Sequence, residues 1–164
     1  MPNNRPRATD LGVEIGILPS GPHNAITDVP EVSVGHVTMI DGIGPLRIGD
    51  GPVRTGVTAV LPHQGNVFER KVTGAVHVLN GFGKALGFLQ VQELGVIESP
   101  IVLTSTLSIW RAADAVIDYL AAVNPSVYSF NPVVGECNDA FLNDIVGRHI
   151  RTEHVQDAIA MASS

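Results

Sequence analysis

The run Pro100-Ile101-Val102-Leu103-Thr104, followed almost at once by Ser108 and an amphipathic repeat, constrains this chain more than any other stretch. It is short and apolar until its end, the pattern of a strand buried on both faces. Behind it, Ile109, Ala113, Val116, Ile117 and Leu120 recur at helical spacing, with Ser108 placed to cap the helix and Pro125 to end it. A buried strand feeding straight into a one-sided helix demands layers of sheet and helix around a shared core. The fold class is α/β, or α+β.

Other segments fit that frame. Val32 to Met39 alternates β-branched with small or polar residues, and Val57 to Leu61 reads as a second strand, stopped by Pro62. Val72 to Leu79 reads as a third, with Gly74 inside it. After Asn80-Gly81-Phe82-Gly83, the residues Ala85, Leu86, Phe88, Leu89 and Leu94 predict a helical face that Gly95 would cap. Residues 133–145 fit a strand or a strand and loop, and Thr152 is placed to cap a last helix through Ala162, with Ala158, Ile159 and Ala162 apolar. Pro2, Pro6, Pro19 and Pro22 punctuate an irregular N-terminal arm. With 164 residues, a single domain is expected, with an arm over about 1–23 and a core over about 24–164. The pattern breaks off at Ala160-Met161-Ala162-Ser163-Ser164, so the expectation is a domain portion that is incomplete without a further C-terminal part.

Charge excludes several classes. Only 16% of the residues are charged, where roughly a quarter is ordinary. The net charge is −6 with ten Lys and Arg and no basic run, and a nucleic-acid binder needs a cationic face to displace counterions, so no nucleic-acid partner is expected. No apolar run approaches bilayer length, and the N-terminus lacks a signal-peptide core, so no membrane association is expected. The single Cys137 excludes an internal disulfide and points to a reducing, cytoplasmic home. Ten basic and sixteen acidic side chains cover little surface, which implies burial against another chain.

Few short motifs carry chemistry. Asn80-Gly81-Phe82-Gly83-Lys84 invites a phosphate-loop reading, but position 78 is Val, no Ser or Thr follows Lys84, and position 86 is Leu where a dinucleotide fingerprint needs Gly. These glycines read as a tight strand-to-helix turn. The histidines (His23, His36, His63, His77, His149 and His154) are scattered, and Asp114 and Asp118 belong to a wet helix face, so neither a metal nor a cofactor is expected. No G-x-S-x-G elbow occurs. Glu136 and Asp139 would raise the pKa of Cys137, which reads as a small, half-buried structural residue. The cluster Glu136-Cys137-Asn138-Asp139 with Asn143-Asp144 fits either an acidic pocket for a cationic amine or a solvated loop of Asx turns.

Five segments taken in order resemble one family. They are Asn24-Ala25-Ile26-Thr27-Asp28-Val29-Pro30 with Val34-Gly35-His36; Arg54-Thr55-Gly56-Val57-Thr58-Ala59-Val60-Leu61-Pro62; Leu79-Asn80-Gly81-Phe82-Gly83; Pro100-Ile101-Val102-Leu103-Thr104-Ser105-Thr106; and Val133-Val134-Gly135-Glu136-Cys137-Asn138-Asp139 with Leu142-Asn143-Asp144-Ile145. From about Arg5 to His149 the chain is similar to the N-terminal part of the self-cleaving N-terminal-serine aminopeptidases, which include L-aminopeptidase D-amidase/D-esterase and the β-peptidyl aminopeptidases.

The resemblance implies a four-layered αββα sandwich shared with a second, β chain that carries the nucleophilic Ser. It implies autoproteolytic maturation, a homo-oligomer of αβ units, and a small peptide, amide or ester substrate with a free amine. Glu136 matches the family Glu that receives that amine. Two residues on, Asn138 stands where the family has a Tyr that helps bind the oxyanion, and an Asn amide can also donate there. Thr104-Ser105-Thr106 stands for the family's Thr-Asn-Thr, which places Thr104 and Thr106 at the substrate pocket. Asn138 and Ser105 also leave room for an alternative, a non-catalytic amine-binding protein on the same scaffold.

Overall fold

The computed structural model describes residue 6 and residues 8–164; Arg5 and the rest of the extreme N-terminus, where the expected arm begins, lie outside the described residues. In chain order the elements are β1 (Ser33–Asp41), β2 (Val53–Leu61), β3 (Val72–Thr73), α1 (Phe88–Leu94), β4 (Val96–Ile97), β5 (Ile101–Ser105), α2 (Ile109–Val123), β6 (Val133–Cys137) and α3 (Thr152–Ala160). A four-stranded sheet runs β1-β2-β5-β6, and β3 pairs with β4 apart from it. The β1–β2 and β2–β5 ladders are antiparallel. β5 and β6 run parallel, joined through α2, as a crossover between parallel strands requires. Among the described residues, no helix is long and apolar enough to cross a membrane.

α2 and α3 pack on one face of the sheet. Val57 and Ala59 of β2, Val102 of β5 and Val134 of β6 meet Ile109, Val116 and Leu120 of α2 and Val155 and Ala158 of α3 in one core. The helical repeat read from the letters is the stripe that α2 buries, apart from Ile117, which is partly exposed. Ser108 holds the cap position of α2 but its side chain makes no capping bond, because a 3₁₀ turn over Thr106–Ser108 carries the chain into the helix and buries it.

Several expectations need correction. β5 is covered on one face only: Val102 is buried, while Leu103 is 47% exposed, because both helices lie on the same side. The strand expected over 72–79 ends at Thr73, since its partner β4 supplies only two residues. α1 starts at Phe88, later than the pattern implied, and buries Val91 while Leu89 is 84% exposed. The left-handed residue in that turn is Gly87 (φ +79°), and a Cβ there would lie 2.5 Å from the Pro132 carbonyl oxygen. α3 begins with Thr152 already inside the helix; the side chain of His154 accepts the Arg151 N–H instead (3.1 Å).

Candidate functional site

The carboxyl ends of parallel strands are where open α/β sheets place ligands. Here the β5–β6 register sets Thr104 beside Glu136 and Ser105 beside Cys137 at those ends. Glu136 leads into an open cavity of about 370 Å³ whose wall includes His77, Leu79, Asn80, Lys84, Phe88 and Leu103.

The Glu136 side chain is only 9% exposed, and its two oxygens differ. Oε1 accepts the Lys84 backbone N–H (2.9 Å) and lies 3.6 Å from Lys84 Nζ. Oε2 is buried with no hydrogen-bond partner, and so is Thr106 Oγ1, although the Thr106 hydroxyl is close enough to act on the carboxylate. Burial pushes the Glu136 carboxyl up, but the Thr106 hydroxyl, the Lys84 N–H and the Lys84 charge together outweigh it and hold the group below the usual carboxylate value. The result is a buried, ionised carboxylate with one lone-pair face unsatisfied. Such a group calls for a donor, and a cation most of all. It also disposes of the phosphate-loop reading, because the Lys84 N–H already holds an anion of the chain itself.

Thr104 turns its hydroxyl to the Gly56 carbonyl (2.9 Å), tying β5 to β2. Asn138 is exposed, and its Oδ1 accepts the Ala140 N–H (3.1 Å) in an Asx turn. Cys137 is exposed, not half-buried, because it ends β6 on the uncovered face; it lines a second cavity of about 280 Å³ with His36, Thr58, Ser105 and Asp139.

The two readings of the polar cluster divide between its members. Asp139 accepts hydrogen bonds from Thr55 Oγ1 (2.7 Å), Ser105 Oγ (2.9 Å) and Asn143 Nδ2 (3.2 Å). Asn143 Oδ1 accepts the Arg54 N–H (3.0 Å). Asp144 accepts the Gly49 N–H (2.9 Å) through Oδ1, and its Oδ2 meets His149 Nε2 (3.0 Å). Asn143 and Asp144 are buried, so this part of the cluster is not a solvated loop but a clamp holding the start of β2 against the loop after β6, with Asp139 also on the wall of the second cavity. It fixes the direction in which Glu136 and Asn138 leave β6. The letters marked the cluster, but the role of Asp139 and the approach of Lys84 to Glu136 escaped them. Among the described residues, no group of three or more His, Cys, Asp or Glu is placed to hold a metal ion.

The clamp has a pH signature. The Gly49 N–H, with help from His149 and the Gly147 N–H and against the effect of burial, holds the Asp144 carboxyl below the usual carboxylate value. A depressed folded-state pKa contributes stability that is complete above the unfolded carboxylate range and is lost as pH falls through the folded value. Thermal melts taken in steps from about pH 6 to about pH 3 should show a steeper acid fall in Tm for the native protein than for Asp144→Asn. Parallel curves would remove Asp144 as the responsible group.

The profile of peptidase family S58 matches residues 24–164. This chain belongs to peptidase family S58. The S58 chain is 45% identical over 159 residues to the β-peptidyl aminopeptidase BapA of Sphingosinicella microcystinivorans, covering 97% of itself and 40% of that relative. Among solved structures it is similar to a Burkholderia sp. β-aminopeptidase (42% identity, TM-score 0.86, covering 96% of this chain and 44% of that one). It is also similar to the L-aminopeptidase D-Ala-esterase/amidase of Ochrobactrum anthropi (35% identity, TM-score 0.83, 98% and 45% covered), described as a prototype for the serine aminopeptidases and a variant of the Ntn hydrolase fold. The mixed sheet-and-helix architecture is similar to that fold. The chain spans less than half the length of these relatives.

Proposed function

We propose that this S58 chain is the α-chain part of a serine aminopeptidase or amidase that hydrolyses peptide, amide or ester bonds beside a free N-terminal amine, after its precursor has cleaved itself. One observation carries the reading: the buried Glu136 carboxylate with Oε2 unpartnered at the floor of a cavity. An ammonium there completes Glu136, beside the Thr106 hydroxyl that is also buried without a partner; Thr104 neighbours Glu136 in the β5–β6 register and lines the second cavity. The names of the relatives, all aminopeptidases, favour the same chemistry.

In this scheme a Ser at the N-terminus of a β chain attacks the scissile carbonyl, its own α-amine takes the hydroxyl proton and passes it to the leaving group, and water then releases the acyl-enzyme. Asn138 suits an oxyanion contact because its Asx turn occupies Oδ1 and leaves the Nδ2 protons to donate. The uncovered sheet face, with Leu103 half-exposed, favours a second sheet packed against it, giving the four-layered αββα sandwich. Thin surface charge favours a homo-oligomer of αβ units, and a single exposed thiol suits the cytoplasm.

The test compares amino-acid p-nitroanilides with their N-acetylated counterparts on the full-length polypeptide. Acetylation should lower kcat/KM by about 100-fold or more, the scale of a lost buried ion pair. Equal rates would overturn the reading. Binding of free amines without turnover, from a single uncleaved polypeptide, would favour the non-catalytic alternative.

A further inference from the structure

We propose that Lys84 is the positioning residue of the amine pocket: it occupies Glu136 Oε1 from two sides and so reserves Oε2 for the ligand's ammonium. The inference rests on the assignment of Glu136 as amine receptor and adds a division of labour between the two oxygens.

Lys84 reaches Oε1 through its backbone N–H at 2.9 Å and through Nζ at 3.6 Å. A carboxylate gripped at one oxygen cannot rotate freely, and its Oε2, like the nearby Thr106 hydroxyl, is buried without a partner. The two unsatisfied groups are complementary to one further donor. Lys84 itself does not fill that position, because its ammonium sits on the opposite oxygen and its side chain is 36% exposed at the cavity wall.

Charge gives the arrangement a second effect. With Lys84 in place the pocket is close to neutral before a ligand enters, the other titratable group on the cavity wall being His77. A bound ammonium therefore meets a second cation nearby. Lys84 thus keeps Glu136 ionised into acid while restraining affinity for cationic amines near neutrality. A lysine whose role was only to pack would do neither.

The experiment uses full-length protein carrying Lys84→Met, with Lys84→Arg as the conservative partner and Glu136→Gln as reference. For free-amine substrates, Lys84→Met should lower KM about threefold at neutral pH, because a like charge has been removed. The acid limb of its kcat/KM profile should move to higher pH, because Glu136 loses a cation that favoured its charged form. Lys84→Arg should restore both. If Lys84→Met leaves both unchanged, or raises KM with the acid limb in place, the role assigned to Lys84 is wrong. If instead Glu136→Gln keeps the preference for a free amine, the receptor assignment itself fails, whatever Lys84 does.

Discussion

Glu136→Gln abolishes most of the preference for substrates with a free amine. The substitution keeps the shape of the side chain, and the amide oxygen can still accept the Lys84 N–H that holds Oε1 at 2.9 Å. What disappears is the negative charge opposite the ammonium, in a position only 9% exposed. Removing one member of a buried, hydrogen-bonded charge pair costs about 2–5 kcal/mol. The bound ammonium is left facing an uncharged amide, with the Lys84 cation still close by, so a cost of about 3 kcal/mol is expected. Activity on free-amine p-nitroanilides should fall by a factor on the order of 100 or more, chiefly as a rise in KM. N-acetylated substrates should be almost unaffected. A loss confined to kcat, shared equally by both substrate types, would mean that Glu136 acts on the reacting bond and not on the amine.

The second large effect is on stability. Gly35 lies in β1 beneath α3, and a Cβ built there runs into the carbonyl oxygen of Ala158 and comes within 2.9 Å of the Ala162 nitrogen. Both obstacles are backbone, so no rotamer change relieves them. Either β1 or α3 must move, and α3 also carries Val155 and Ile159 into the core. Gly35→Ala should therefore cost about 3 kcal/mol, near the upper end for overpacking. A cost of that size lowers Tm by about 10 °C in a domain of about 150–250 residues and by roughly half as much in a polypeptide twice as long. Thermal unfolding of the full-length variant decides it; a drop below about 2 °C would mean that α3 does not seat this closely on β1.

Local pattern was enough for the elements whose partners are continuous. β1, β2 and β5 follow from alternation and apolar runs, and α2 from a repeat that its buried stripe reproduces almost residue for residue. It failed where an element depends on what lies beside it. The apolar letters of 74–79 are those of a strand, but strands need an edge, and β4 ends after two residues. Leu103 belongs to a run that reads as doubly buried, yet whether its far face is covered depends on which side the helices choose.

The site divides in the same way. The order of a set of segments singled out Glu136 and Asn138, and the buried carboxylate of Glu136 on a cavity wall supports the first of them as a candidate. The task of Asp139 was not legible, because its donors Thr55 and Ser105 stand 84 and 34 residues away. Lys84 and Glu136, 52 residues apart, meet only once the turn before α1 has folded over the end of β6.

The pairing of Val34 with Ser163 joins the outer edge of β1 to a residue almost at the other end of the chain. β1 and β2 zip together from neighbouring sequence, but α3 and Ser163 reach β1 only after every intervening element is in place. Such long-range closure must be met before its contacts reward it, and it slows folding. On the ribosome, β1 therefore emerges well before its outer-edge partner and waits with that edge open until α3 and Ser163 have been made. A chaperone, or a second polypeptide with an exposed strand, has that interval in which to compete for it.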